Sequence, residues 1–189
     1  MGFTLVELLI VITLLGILAV AVLAAINPLE QANRARDAKY KSDSSQLLSA
    51  IDRYFVSKDE FPWTTLDPLV TSDDELVFVS ANDESIGVCG ATCTVSGYLI
   101  TNNELKTEFL NRDFAKGTPT WDKMVYVGKA LGASESIYVC YVPKSKSERG
   151  KATTTITLGS SVRTPETAAN CALKTYASLA DSCVTCLPQ

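Results

Sequence analysis

Seven side chains stand out in this sequence as candidates for chemistry: the carboxylate of Glu7 and the thiols of Cys89, Cys93, Cys140, Cys171, Cys183 and Cys186. Glu7 is the only charge in an apolar run from Phe3 to Ile26. An acidic residue at the centre of a membrane span costs roughly 2.5–3.5 kcal/mol, and less near its end. Something at the N-terminus must therefore compensate this carboxylate. The chain has no histidine, which removes Ser-His-Asp and Cys-His nucleophilic sites and every His-ligated metal site. That weighs against catalysis without excluding it.

The six cysteines all follow the apolar segment, and an even number confined to one part of an exported chain reads as a disulfide framework. Two rivals use the same residues. Cys89-x3-Cys93 with Cys183-x2-Cys186 has acceptable spacing for a four-thiolate zinc site but leaves two cysteines over. Cys183-x2-Cys186 alone has the spacing of a thiol-disulfide enzyme. The favoured arrangement is a tight Cys89–Cys93 loop, with Cys140, Cys171, Cys183 and Cys186 tying the C-terminal tail to a sheet.

The elements that must position these groups begin with the apolar segment. From Leu8 to Ile26 nineteen consecutive residues carry no charge. As a helix they extend about 29 Å, enough for a hydrocarbon core of about 30 Å. Ala19, Ala21, Ala24 and Ala25 imitate the small-x-small site of a cleavable secretory signal, but such a signal gains nothing from Glu7. The run Gly2-Phe3-Thr4-Leu5-Val6-Glu7 resembles the type IV pilin signature, with glycine, phenylalanine and glutamate in register. The resemblance covers Gly2 to about Pro28. It implies cleavage after Gly2 by a prepilin peptidase, N-methylation of Phe3, and an assembly role for Phe3 and Glu7. Leaders of this family usually carry Lys or Arg before the glycine; only Met1 stands there, so residues 1–2 are read as a residual leader, shortened or preceded by an alternative start. The first basic residues, Arg34, Arg36, Lys39 and Lys41, follow the apolar run. By the positive-inside rule they would hold the remainder in the cytoplasm. The cysteines argue for export and are given the greater weight.

Residues 3–28 are read as the transmembrane and filament-core helix and 29–56 as its amphipathic continuation. Leu47, Leu48, Ile51, Tyr54 and Phe55 form one stripe at helical spacing. Helix from Phe3 to Phe55 would extend about 80 Å. Gly16 and Pro28 are its weak points: a packing glycine and a membrane-exit kink, or the ends of a stretch that extends when subunits pack. The charges of Arg34–Lys41 are a solvated face or, in a filament, register-setting partners of neighbouring copies.

Residues 57–189 form the globular head and carry the whole net charge of −4, with 12 basic and 16 acidic side chains. Leu76–Ser80, Thr94–Thr101, Met124–Gly128, Ile137–Val142 and Thr153–Leu158 read as strands. Ile137–Val142 is apolar on both faces and therefore central. Pro143–Ala152 reads as a long hairpin loop. A helix is expected over Glu166–Leu179, with Thr164 as N-cap and Pro165 at its first position. Lys144, Lys146, Arg149 and Lys151 suggest a solvated tip or, less favoured in so acidic a head, a contact for DNA. Asp73, Asp74 and Glu75 invite calcium but lack EF-hand spacing.

The expected fold is α+β, a long N-terminal helix packed on an antiparallel sheet. The expected function is a structural subunit, a major type IV pilin, without a cofactor, metal or catalytic residue. The alternatives are a secretion pseudopilin or minor tip pilin, and a monomeric membrane-anchored binding module. By resemblance the partners are copies of the chain, a prepilin peptidase and an inner-membrane assembly platform with its ATPase. The chain would sit in the membrane before assembly and in a cell-surface filament after it.

Overall fold

The computed structural model describes residues 2–25, 27–67, 69–117, 119–132, 134–151, 154–155, 164–165, 170–171 and 183–188. Helix α1 (Leu5–Ala25) is apolar on all sides, and residues 2–23 are all exposed. Its 21 residues extend about 32 Å, and the stretch Leu5–Leu23 is long and apolar enough to cross a membrane. The helix does not run on unbroken to Phe55. It stops at Ala25, and α2 (Pro28–Lys58) starts afresh with Asn27 extended as its N-cap. The Asn27 side chain accepts from the Glu30 N–H at 3.2 Å, and Pro28 occupies the first turn, where no amide hydrogen is needed. A local cap thus competes successfully with continuation of the helix.

α2 packs against a sheet in the order β1-β2-β3-β6-β4-β5, antiparallel at every pairing. The strands are β1 (Leu76–Ser80), β2 (Val125–Lys129), β3 (Ile137–Tyr141), β4 (Thr154–Thr155), β5 (Thr164–Pro165) and β6 (Cys183–Leu187). The α+β architecture read from the sequence is the one observed. Alternation along β3 builds both faces. Ile137, Val139 and Tyr141 join Leu47, Ala50, Ile51 and Tyr54 in the core beneath α2. Cys140 and Val142 join Phe78, Tyr126, Val184 and Cys186 on the reverse face.

Three expectations fail. Thr94–Thr101 is not a strand: only Ser96 makes an isolated bridge, to Cys89, and Tyr98–Thr101 is a helical turn. Gly97 lies so close to the carbonyls of Gly87 and Cys89 that any Cβ would collide with them. The chain turns there, burying Leu99 and Ile100. Nor is Pro143–Ala152 a hairpin, because β6 lies between β3 and β4. The segment instead folds into a short helix, Lys146–Arg149, against α2. Thr164 and Pro165 do not begin a helix; they pair with β4. Asn170 and Cys171 are helical, while residues 166–169 and 172–179 of that expected helix lie outside the described residues, as do residues 153 and 156–158 of the expected strand.

Candidate functional site

Glu7 is built into the first turn of α1. Thr4 precedes the helix, and Thr4 Oγ1 accepts from the Glu7 N–H at 3.3 Å. Glu7 Oε2 accepts in return from the Thr4 N–H at 2.9 Å and from Thr4 Oγ1 at 2.7 Å. This is a reciprocal capping box, which satisfies two of the free donors of a helix N-terminus and places a negative charge where the helix dipole favours it. Its signal, Thr-x-x-Glu before an apolar run, lay in the sequence and was missed. The carboxylate is thus half satisfied by its own helix. Among the described residues no hydrogen bond reaches Oε1, and that oxygen is presented at the exposed end of an exposed helix.

The other N-terminal candidates are spread from the start of α1 to the start of α2. Phe3 is fully accessible, at 86 % exposure. Gly16 lies within α1, with open space where a Cβ would stand. Thr13 returns its hydroxyl to the carbonyls of Leu9 and Ile10 at 3.0 and 2.8 Å, so the one hydroxyl of the helix interior adds no free polar group. Pro28 belongs to the second helix.

The base of the head, beside the start of α2, gathers groups that lie far apart along the chain. Asp37 is buried, at 2 % exposure, and grips the segment after β3. Its carboxylate accepts from the Lys144 N–H at 3.0 Å to each oxygen and from the Ser145 N–H at 2.7 Å. Arg36 donates to Asp37 Oδ1 at 3.1 Å, to the Val142 carbonyl at 3.1 Å and to the Asp122 carbonyl. Glu30 accepts from the Lys146 N–H at 3.0 Å. Burial works to raise the Glu30 pKa, but the Lys146 N–H and Arg34 outweigh it and leave it below the ordinary value.

Farther out, Lys39 reaches Asp113 at 2.8 Å and holds that carboxyl below its ordinary value. Lys144 reaches Asp122 at 2.7 Å. Burial would raise Asp122, yet its hydrogen bonds from Lys144 and Thr120 bring it below the usual range. Asp43 goes the other way: burial pushes it up, against the pull of Arg112 and Lys39.

The expected basic loop is therefore no solvated tip. Lys144 pairs with Asp122, Lys151 pairs with Glu148 at 3.1 Å, and the backbone of the segment is tied to α2. In the acidic triplet, Asp74 accepts from the Thr71 N–H at 2.6 Å and from its hydroxyl at 3.1 Å, closing a turn. Among the described residues no group of three or more acids or cysteines is placed to hold a metal ion.

All six cysteines are in disulfides, Cys89–Cys93, Cys140–Cys186 and Cys171–Cys183. The Cys183-x2-Cys186 pair is not a redox couple. Both residues lie on β6, where an odd spacing points them to opposite faces. Each is therefore bonded elsewhere.

Residues 2–23, the segment that holds the capping box and α1, match the Prokaryotic N-terminal methylation motif. That match supports the type IV pilin and pseudopilin family. No curated protein and no solved structure is detectably similar to it. The motif implies processing by a prepilin peptidase and assembly into pilus-like filaments, and it suggests a structural role. Its exposed apolar helix suits membrane anchoring before assembly.

Proposed function

We propose that this pilin-like chain is the major subunit of a type IV pilus. The observation that carries the reading is the methylation motif on an exposed apolar helix, whose first turn holds a carboxylate with one oxygen unbonded among the described residues. Hydrolysis of the Gly2–Phe3 peptide bond would release the Phe3 amine, a cation beside apolar side chains. Set against the Glu7 carboxylate of a neighbour, amine and carboxylate neutralise one another in low dielectric. Either group left alone there would cost several kcal/mol. The pair thus selects one axial register, while the exposed faces of α1 supply cohesion through close helix–helix packing. On this reading the stretch between Gly16 and Pro28, which takes in the end of α1, loosens during packing, and Asn27 caps α2 so that the head stays folded while it does.

The test is electron microscopy of sheared surface material from cells producing the wild-type chain or Glu7→Ala. Wild type is expected to give abundant long fibres containing this chain. Glu7→Ala is expected to insert in the membrane normally and give none. Wild-type fibre yield from Glu7→Ala would refute the role of the carboxylate. Short fibres retained at the cell envelope would assign the chain to the pseudopilins. A wild-type chain that stays monomeric in the membrane would favour an anchored binding module.

A further inference from the structure

The head is electrically polarised along α2. Beyond its C-terminal end, residues 59–75 hold six carboxylates and no cation. The Tyr54–Thr65 hydroxyl contact at 3.0 Å and the Thr65–Glu60 bond at 3.1 Å hold this segment on the helix end. Glu60, Thr65 and Thr71 share one hollow, which brings residues 71–75 to the same end. Asp73 and Glu75 are exposed there.

At the opposite end, Arg36, Tyr40, Lys116, Lys123 and Lys144 line a cleft of about 540 Å³. Lys39 and Lys144 are matched by Asp113 and Asp122, and Arg36 by Asp37. Lys116 and Lys123 are exposed, and neither side chain makes an ion pair or hydrogen bond among the described residues. The cleft therefore has surplus positive charge in a chain whose net charge is −4.

Arg36 and Asp59 are separated by about 35 Å of helix, several times the Debye length of about 8 Å at physiological salt. The two ends cannot neutralise one another within one molecule. We propose that the basic cleft at the base of the head docks the acidic 59–75 end of a second copy of this chain. The interaction rests on the filament reading above: parallel copies displaced along α1 bring the far end of one head beneath the base of another. DNA fits the cleft less well, because its one aromatic ring, Tyr40, is buried under Arg36 and cannot stack on a base.

Zero-length carbodiimide coupling of purified wild-type fibres, followed by mass spectrometry, tests the contact. Peptides joining Lys116 or Lys123 to Asp73 or Glu75 are expected; Leu76 pairs with Lys129, so Glu75 and Lys123 of one chain stand about 20 Å apart along the β1–β2 ladder, too far for a zero-length bond. Crosslinked fibres lacking such peptides would overturn the docking.

A second test uses charge exchange in the full-length chain. Lys116→Glu with Lys123→Glu, or Asp73→Lys with Glu75→Lys, is expected to lower fibre yield about tenfold, and all four substitutions together to restore most of it. Head folding is checked in each variant by protease resistance in detergent. Folded variants with unchanged yield, or a fourfold exchange that restores nothing, would count against the docking. So would retention of a DNA duplex that depends on Lys116 and Lys123 while their reversal leaves fibres intact. Loss of fibres in the wild type itself would instead overturn the filament reading, which Glu7→Ala tests independently.

Discussion

Asp37 offers the sharpest test of how the head is held on its helix. It is nearly fully buried, with two backbone N–H donors and one guanidinium on its carboxylate. A hydrogen bond to a charged group contributes about 1.5–3 kcal/mol net, and removing one partner of a buried charged cluster costs about 3–5 kcal/mol. Asp37→Ala is expected to fall in that latter range, since it leaves the Lys144 and Ser145 amides without acceptors. Asp37→Asn behaves differently. With its oxygen in the Oδ2 position it keeps the bonds from Ser145 at 2.7 Å and Lys144 at 3.0 Å, and loses chiefly the Arg36 contact. Its expected cost is about 1–2 kcal/mol.

Guanidinium unfolding of the full chain in detergent, followed by tryptophan fluorescence, measures both. Trp63 is buried in the core under α2, and Trp121 adjoins Asp122 at the base, so the two indoles report different ends of the head. The larger loss corresponds to a fall in melting temperature of about 10 °C. Amide exchange at Lys144 and Ser145 should accelerate in Asp37→Ala before global unfolding. An Asp37→Ala head within 1 kcal/mol of wild type, or an Asn variant as damaged as the Ala one, would refute this account of the grip.

Three further outcomes follow from the same structure. Replacing Cys140 and Cys186 by Ala opens a loop of 46 residues and is expected to cost about 4 kcal/mol in the chain-entropy account, read as a lower guanidinium midpoint under non-reducing conditions. Acid should weaken the base of the head. Glu30, Asp113 and Asp122 have folded pKa values below their ordinary 4.5, 3.8 and 3.8, so their stabilisation is present above those values and lost as pH falls through the lower, folded ones. Asp43, raised by burial, has the opposite sign: its contribution is largest below 3.8 and is lost as pH rises through its folded value. A guanidinium midpoint that rises between about pH 3 and pH 6 checks that the three depressed carboxyls outweigh it. Mass spectrometry of the mature chain should find an N-terminus at Phe3 bearing a methyl group, and a chain beginning after Ala25 would instead mark a cleaved secretory signal.

The sequence by itself determined the elements whose causes are local. An uncharged run long enough to span a bilayer needs no tertiary partner to be a helix. Glycine, phenylalanine and glutamate in fixed register name the motif by covalent spacing alone. Alternation over Ile137–Val142 placed β3 at the centre of the sheet, because a strand apolar on both faces can be buried only there.

Tertiary structure decided the rest. The Cys183-x2-Cys186 spacing looks like a couple until β6 turns the two thiols to opposite faces. Gly97 lies in a stretch that reads as a strand, and only the carbonyls packed against it turn the chain there into a helical turn. Asp37 looks like any polar residue on a helix. Its burial depends on a segment more than a hundred residues away, which supplies the N–H groups that make an interior carboxylate tolerable. Likewise the charges of residues 59–75 and of the basic cleft are plain in sequence. Their placement at opposite ends of one helix exists only in the fold.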